Sequence, residues 1–239
     1  MKRFLATQTG IALSSAPGVL AGEARAVAIA TNGGSASATA TAVGNADSTA
    51  IAGATRGGRA VANSNAIGRR NGYAESRSVA VADHGLAVSN ADADARGIFG
   101  GAARADSESI AATIGGVAIS NSRARARGTF FGGAYSRSRS TALSDHGQAV
   151  SDSLADSRGR FGGHASSFSD ALADSVRGRS SSRVRAFSDA RFRATARSDG
   201  RGVSISGPWR GSRVRVHAES RSVHHGWSRA RSAVIRIRR

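Results

Sequence analysis

The chain has no cysteine, one methionine, two prolines and a single lysine, and aromatic residues make up only 5% of its 239 positions. Without cysteine there are no disulfides and no thiolate metal sites, so stability must come from repetition or assembly. Large apolar side chains are also scarce. Much of the 40% hydrophobic content is alanine, which excludes an ordinary oily interior. No stretch approaches the roughly 18 uninterrupted apolar residues of a membrane-spanning helix. The motifs of common chemistries are missing as well: no Gly-x-Ser-x-Gly elbow, no phosphate-binding glycine loop, no calcium nonapeptide and no Asn-x-Ser/Thr acceptor. The expectation is a protein that is not an enzyme and takes no cofactor.

What is present is arginine, glycine and a strict alternation. The net charge is +18, and 18 Arg against 5 acids from residue 160 onward carry +13 of it, so the positive field is concentrated in the C-terminal third. Such a field attracts polyanions, either nucleic acid or acidic polysaccharide and other anionic groups of a matrix or cell surface. Arginine favours bidentate contact with phosphate and carboxylate.

Three segments repeat. They are "SVAVADHGLAVSNADADARGIFGGAARADSE" from Ser78, "SIAATIGGVAISNSRARARGTFFGGAYSRSR" from Ser109 and "STALSDHGQAVSDSLADSRGRFGGHASSF" from Ser140. Inside them runs a half-period of about 15 residues, marked by Gly58, Gly72, Gly85, Gly101, Gly116, Gly133, Gly147, Gly163 and Gly178. Between glycines the pattern has period 2, the signature of a strand whose side chains alternate between two faces. After Gly85 one face reads Ala87, Ser89, Ala91, Ala93, Ala95. The other reads Leu86, Val88, Asn90, Asp92, Asp94, Arg96. A helix would scatter these residues around its circumference, and glycine at this density would cost it about 1 kcal/mol each.

The fold expected is therefore all-β: a parallel β-solenoid, or β-roll, of about 15-residue coils stacked roughly 4.8 Å apart around a thin core lined by Ala and Ser. It is expected to occupy residues 27–206, with Arg-rich C-terminal strands or a cap over 207–239. Residues 1–26 begin Lys2-Arg3, continue with a mildly apolar middle and end in small residues, which reads as a signal peptide or an N-terminal cap; the first reading places the protein outside the cell or on its surface. A disordered low-complexity chain would not need strict alternation with a 31-residue echo.

Units such as "SVAVADHGLAVSNADA", "STALSDHGQAVSDS" and "STAIAGATRGGRAVANSNAIG" resemble the head repeats of trimeric autotransporter adhesins over roughly residues 26 to 180. The resemblance implies a left-handed parallel β-roll, homotrimerisation and surface adhesion. It covers the repeat region only, because no heptad stalk and no C-terminal anchor barrel are visible.

Several residues stand out as candidates. Asp83-His84-Gly85 and Asp145-His146-Gly147 contain acid–base types but read as turns. His217, His224 and His225 cluster without metal-site spacing. Leu86, Val88, Val117, Ile119 and Val150 form an apolar stripe opposite the small face and, with Phe99, Phe131 and Phe161 of "IFGG", "FFGG" and "RFGG", a candidate oligomer interface. Arg96, Arg127 and Arg158 recur 31 apart, and Arg213, Arg215, Arg236 and Arg238 alternate with Val and Ile; these seven are the candidate polyanion contacts. With 15-residue coils the first three would lie two coils apart, whereas a 31-residue coil would make them neighbours. The function expected is a secreted structural or adhesive solenoid that assembles as a trimer or filament and presents a basic surface. A polyanion or nucleic-acid binder is the alternative. Ice binding is a third reading, against which the few regular threonine columns argue.

Overall fold

The structure, a computed structural model, describes residues 21–69, 72–98, 102–130, 133–161, 164–192, 195–206, 211–223 and 227–238. Every regular element in it is a strand, and every strand pairing is parallel. The front sheet stacks β1 (Ala21–Ala30), the second half of β2 (Ser35–Ala54), β4 (Tyr73–Asp83), β6 (Ala103–Ile114), β8 (Ala134–Asp145), β10 (His164–Ser175), β12 (Thr195–Ser206) and β14 (Trp227–Arg238). The back sheet stacks the first half of β2, then β3 (Arg59–Gly68), β5 (Leu86–Gly97), β7 (Val117–Gly128), β9 (Gln148–Arg160), β11 (Arg179–Arg191) and β13 (Ser212–Val223). The chain alternates front, back, front, so two strands make one coil of a parallel β-solenoid. Strand β2 is long because it passes from the back sheet to the front without a turn.

The coil is not 15 residues long. Leu86 pairs with Val117 and Val117 with Gln148; on the front, Ala103 pairs with Ala134 and Ala134 with Ala165. The coil is thus 31 residues, and the 15-residue rhythm is one strand and its turn. It is shorter at the start, where Ser35 pairs with Arg59. Strand β1 begins at Ala21, and β13 and β14, within the Arg-rich C-terminal part, continue both ladders in register.

Alternation places Ala, Ser and Gly inside. Val184 is the largest fully buried side chain and serines follow it, which lets the two sheets lie close together. Buried hydroxyls need partners, and serines on the two sheets supply them reciprocally in a zipper. Ser122 Oγ donates to the Ser107 carbonyl at 2.7 Å, Ser138 Oγ to the Ser122 carbonyl at 2.7 Å, and Ser153 Oγ to the Ser138 carbonyl at 2.8 Å, each bond crossing between the sheets and the donor alternating back, front, back. A second zipper runs through Ser78, Ser89, Ser109, Ser120, Ser140 and Ser151. Serine here is small enough for the gap and ties the sheets through their backbones.

Near the C-terminal end the rule changes while the thickness is kept. Val184, Val214 and Val216 enter from the back sheet, and the front sheet answers with Gly200 and Gly202. A Cβ on Gly202 would come within 2.7 Å of both Val214 Cγ1 and Val216 Cγ2.

The turns from front to back stack as a glycine column. Gly58, Gly85, Gly116, Gly147 and Gly178 each press against the carbonyl of the glycine one coil earlier, so that no Cβ fits. Before the first four of these glycines the backbone is left-handed: Gly57 and Gly115 have φ 81 and 69, and His84 and His146 have φ 51 and 57.

Candidate binding surfaces

Both Asp-His-Gly sequences are turns. Asp83 Oδ1 lies 2.6 Å from His84 Nδ1, and Asp145 Oδ1 lies 2.9 Å from His146 Nδ1. Arg177 donates to His146 Nε2 at 2.8 Å, which leaves the ring proton on Nδ1, facing Asp145. The two turns are two coils apart rather than four, about 10 Å, and each His is taken up by its own turn. His217 lies on the outer side of β13; His224 and His225 lie outside the described residues, and no metal-holding cluster occurs among those described.

The outward side chains form columns because the register is exact from coil to coil. On the back sheet Leu86 and Val117 share one column, and Val88, Ile119 and Val150 the next, extended by Val61. All are half-buried. Further along the same strands lies an asparagine ladder, in which Asn121 donates to Asn90 at 2.9 Å and Asn90 to Asn63 at 2.8 Å.

Beyond the asparagines the back sheet becomes cationic. Arg96, Arg127 and Arg158 are direct neighbours in one column, and Asp94, Arg125 and Asp156 in the column beside it. Arg96 pairs with Asp94 at 3.6 Å and Arg158 with Asp156 at 3.0 Å, the latter hydrogen bond raising the Arg158 pKa. Strand β7 between them presents Arg123, Arg125 and Arg127, and among the described residues none of these forms an ion pair within 4 Å. Even so, burial raises the carboxyl pKa of neighbouring Asp92, with Arg123 and Arg125 opposing the shift. Arg213 and Arg215 extend the cationic surface on β13, next to Ser181 and Arg183.

Arg236 and Arg238 do not join that surface, because β14 belongs to the front sheet. Arg236 is in register with the buried Ser204, on the inward side of the ladder, yet is exposed at the end of the stack; the outward positions of β14 hold Trp227, Arg229, Arg231, Ala233, Ile235 and Ile237. Alternation alone could not show which of the two sets faced in, because Val234, Ile235 and Ile237 are all apolar.

At the back-to-front turns Phe130, Phe161 and Phe192 stack in near-parallel pairs, with ring centroids 5.2 and 5.0 Å apart. All three have positive φ, from 53 to 60. Phe161 is the member expected from sequence; Phe99 and Phe131 lie outside the described residues. Phe130 and Phe192 were missed because "TFF" offers two rings, and only a strict 31-residue step selects Phe130.

The front sheet carries a longer apolar stripe that sequence reading also missed. One column reads Val27, Ile51, Val79, Ile110, Thr141, Leu172, Val203, Ile235, and the next includes Ile29, Val81, Leu143, Ile205 and Ile237. Both apolar stripes flank the glycine-turn edge, and the arginines and phenylalanines gather toward the opposite edge. The solenoid is therefore amphipathic across its width.

No family model, curated protein or solved structure matches the chain.

Proposed function

We propose that the protein is a structural or adhesive solenoid that assembles with itself and uses its arginine-bearing back sheet to hold polyanions such as acidic polysaccharides of a matrix or cell surface. The observation that carries this reading is strand β7. Arg123, Arg125 and Arg127 project from one face at about 6.7 Å intervals. Among the described residues none of them forms an ion pair within 4 Å, although Asp92, Asp94 and Asp156 are neighbours in register, while Arg96 and Arg158 on either side are paired with aspartates. A rigid, unpaired cationic row offers repeated bidentate contacts without an ordering cost to the backbone. An extracellular role accords with the signal-like pattern at the N-terminus, whose small-residue exit at Val19-Leu20-Ala21 leaves Glu23 and the rest of β1 in place. Assembly accords with the stacked architecture, in which β13 and β14 each pair with one neighbour.

The test is heparin binding across a salt series. Binding should weaken steeply with salt, and Arg123→Gln, Arg125→Gln and Arg127→Gln combined should lower affinity at least tenfold and flatten the salt dependence. Unchanged binding by the triple variant removes the site. Preference for double-stranded DNA over heparin at equal salt would favour the nucleic-acid alternative.

A further inference from the structure

The front sheet carries, beside its apolar stripe, two charged columns. The first reads Glu23, Asp47, Glu75, Asp106, Arg137, Phe168, Asp199, Arg231, and the second Arg25, Thr49, Arg77, Glu108, Arg139, Asp170, Arg201, Ala233. Acids are concentrated in the first half of the stack and arginines in the second. An outward apolar stripe of this length, half-buried from Ile51 to Val203 and exposed at Val81 and Leu143 beside it, marks an interaction surface, and the charge gradient specifies what fits it.

We propose that the occupant is a second copy of this chain, laid front sheet to front sheet with the two solenoids antiparallel, about a two-fold axis parallel to the strands. This rests on the self-assembly part of the function proposed above and names its partner and geometry. A two-fold in that direction keeps each column opposite the same column and reverses the order of coils, so β1 meets β14, β2 meets β12, β4 meets β10 and β6 meets β8. The apolar column then meets itself as Val27 on Ile235, Ile51 on Val203, Val79 on Leu172 and Ile110 on Thr141. In the charged columns Glu23 meets Arg231, Asp106 meets Arg137, Glu108 meets Arg139 and Arg77 meets Asp170, each pair occurring twice by symmetry. Asp47 on Asp199 is the like-charged exception. A two-fold along the solenoid axis would instead reverse the order of the columns. Centred on the four columns it sets the charged columns on the apolar ones. Centred between the charged columns it leaves the apolar stripe uncovered and sets Asp106 on Glu108 and Arg137 on Arg139, and centred between the apolar columns it leaves the charged columns unopposed.

The area is sufficient. Eight strands span about 34 Å along the axis and the four columns about 20 Å across, so roughly 700 Å² is covered per partner, close to the ~800 Å² of a standard stable interface.

The chain has no native cysteine, so two introduced thiols report the arrangement directly. Ile51→Cys and Val203→Cys in one chain lie five strand spacings apart, about 24 Å, too far for an intrachain disulfide. With a bifunctional thiol reagent long enough to bridge facing sheets roughly 10 Å apart but too short for 14 Å, the double variant should form a covalent dimer and each single variant should remain monomeric on a denaturing gel. Sedimentation at tens of micromolar should give the dimer mass for the parent. Val79→Lys with Leu172→Lys should give the monomer with an unchanged β-type far-ultraviolet spectrum.

A monomeric or trimeric parent overturns the proposal, as does cross-linking by either single variant. End-to-end stacking would leave the two thiols about 14 Å apart and uncross-linked, which also overturns it. A monomer that binds neutral phosphatidylcholine vesicles through Val79 and Leu172 would assign the stripe to lipid instead. Heparin binding measured on the same samples separates the two readings, because the polyanion surface is on the back sheet and should survive in the lysine variant.

Discussion

Gly147 lies directly against Gly116 of the preceding coil. A Cβ built on Gly147 would sit 1.7 Å from the Gly116 carbonyl oxygen, the same atom that accepts a hydrogen bond from the Gln148 amide at 3.0 Å. The obstacle is backbone and belongs to the ladder, so it cannot swing aside. Gly147→Ala should therefore separate two coils locally and cost about 2–4 kcal/mol, combining overpacking with a lost ladder bond. Thermal melting should show a fall of about 5–15 °C. Gly133 marks the other turn and has open space where its Cβ would go; Gly133→Ala should melt within about 2 °C of the parent. Equal effects at the two glycines would mean that the column is not what holds the front-to-back turns.

The valine–glycine exchange near the C-terminal end makes a sharper claim about core thickness. Gly202→Ala places a methyl within 2.7 Å of Val214 and Val216, an overpacking cost of about 1–3 kcal/mol. Val216→Ala removes one of the obstructing methyl-bearing side chains. The double variant should be more stable than the sum of the single losses predicts, with a coupling of about 1 kcal/mol or more in a denaturation cycle. Strict additivity would show that the two sheets adjust independently there.

These two sites also show what was readable in the residues alone. Ala165, Ser167, Ser169, Ala171, Ala173 and Ser175 are all buried, as their alternation required, because a period of two leaves a strand only one way to hide its small side chains. Coil length was not readable from the glycines. Gly116 and Gly133 mark opposite turns of one coil, and composition does not distinguish a front-to-back turn from its reverse. The register that does distinguish them is written in Phe130, Phe161 and Phe192. The front-sheet stripe was hidden for a related reason: Val79, Ile110, Thr141 and Leu172 are single residues separated by a whole coil, whereas Leu86 and Val88 sit side by side in one strand.

The serine zipper yields opposite outcomes for one substitution. Ser138 Oγ bridges to the carbonyl and hydroxyl of Ser122, so Ser138→Ala should cost about 1 kcal/mol. Ser182 Oγ is buried without a partner, next to the position where valines replace the small residues. Removing an unsatisfied hydroxyl recovers its desolvation cost, and Ser182→Ala should be neutral or stabilising by up to about 1 kcal/mol. Guanidinium denaturation of both variants at matched pH checks the difference in sign. A loss at Ser182 as large as at Ser138 would contradict the arrangement.

Glu23, Asp47 and Glu75 follow one another in a single column of the front sheet. Partial burial, then the charges of Glu75 and Glu23, raise the Asp47 carboxyl above its ordinary value of 3.8, with Arg77 opposing. A carboxyl with a raised pKa in the folded state binds its proton more tightly there than in the unfolded chain. Its contribution to stability is therefore fully present below the unfolded-state value and is lost as pH rises through the folded-state value. Asp47→Asn removes the ionised form and the like-charge contact, so the variant should melt about 1–3 °C above the parent at pH 7. The gap should close as pH falls toward 3, where the parent's carboxyl is protonated as well. A gap that stays constant across this range would assign the gain to something other than the charge, and an unchanged or lower melting temperature at pH 7 would show that Arg77 outweighs the two glutamates.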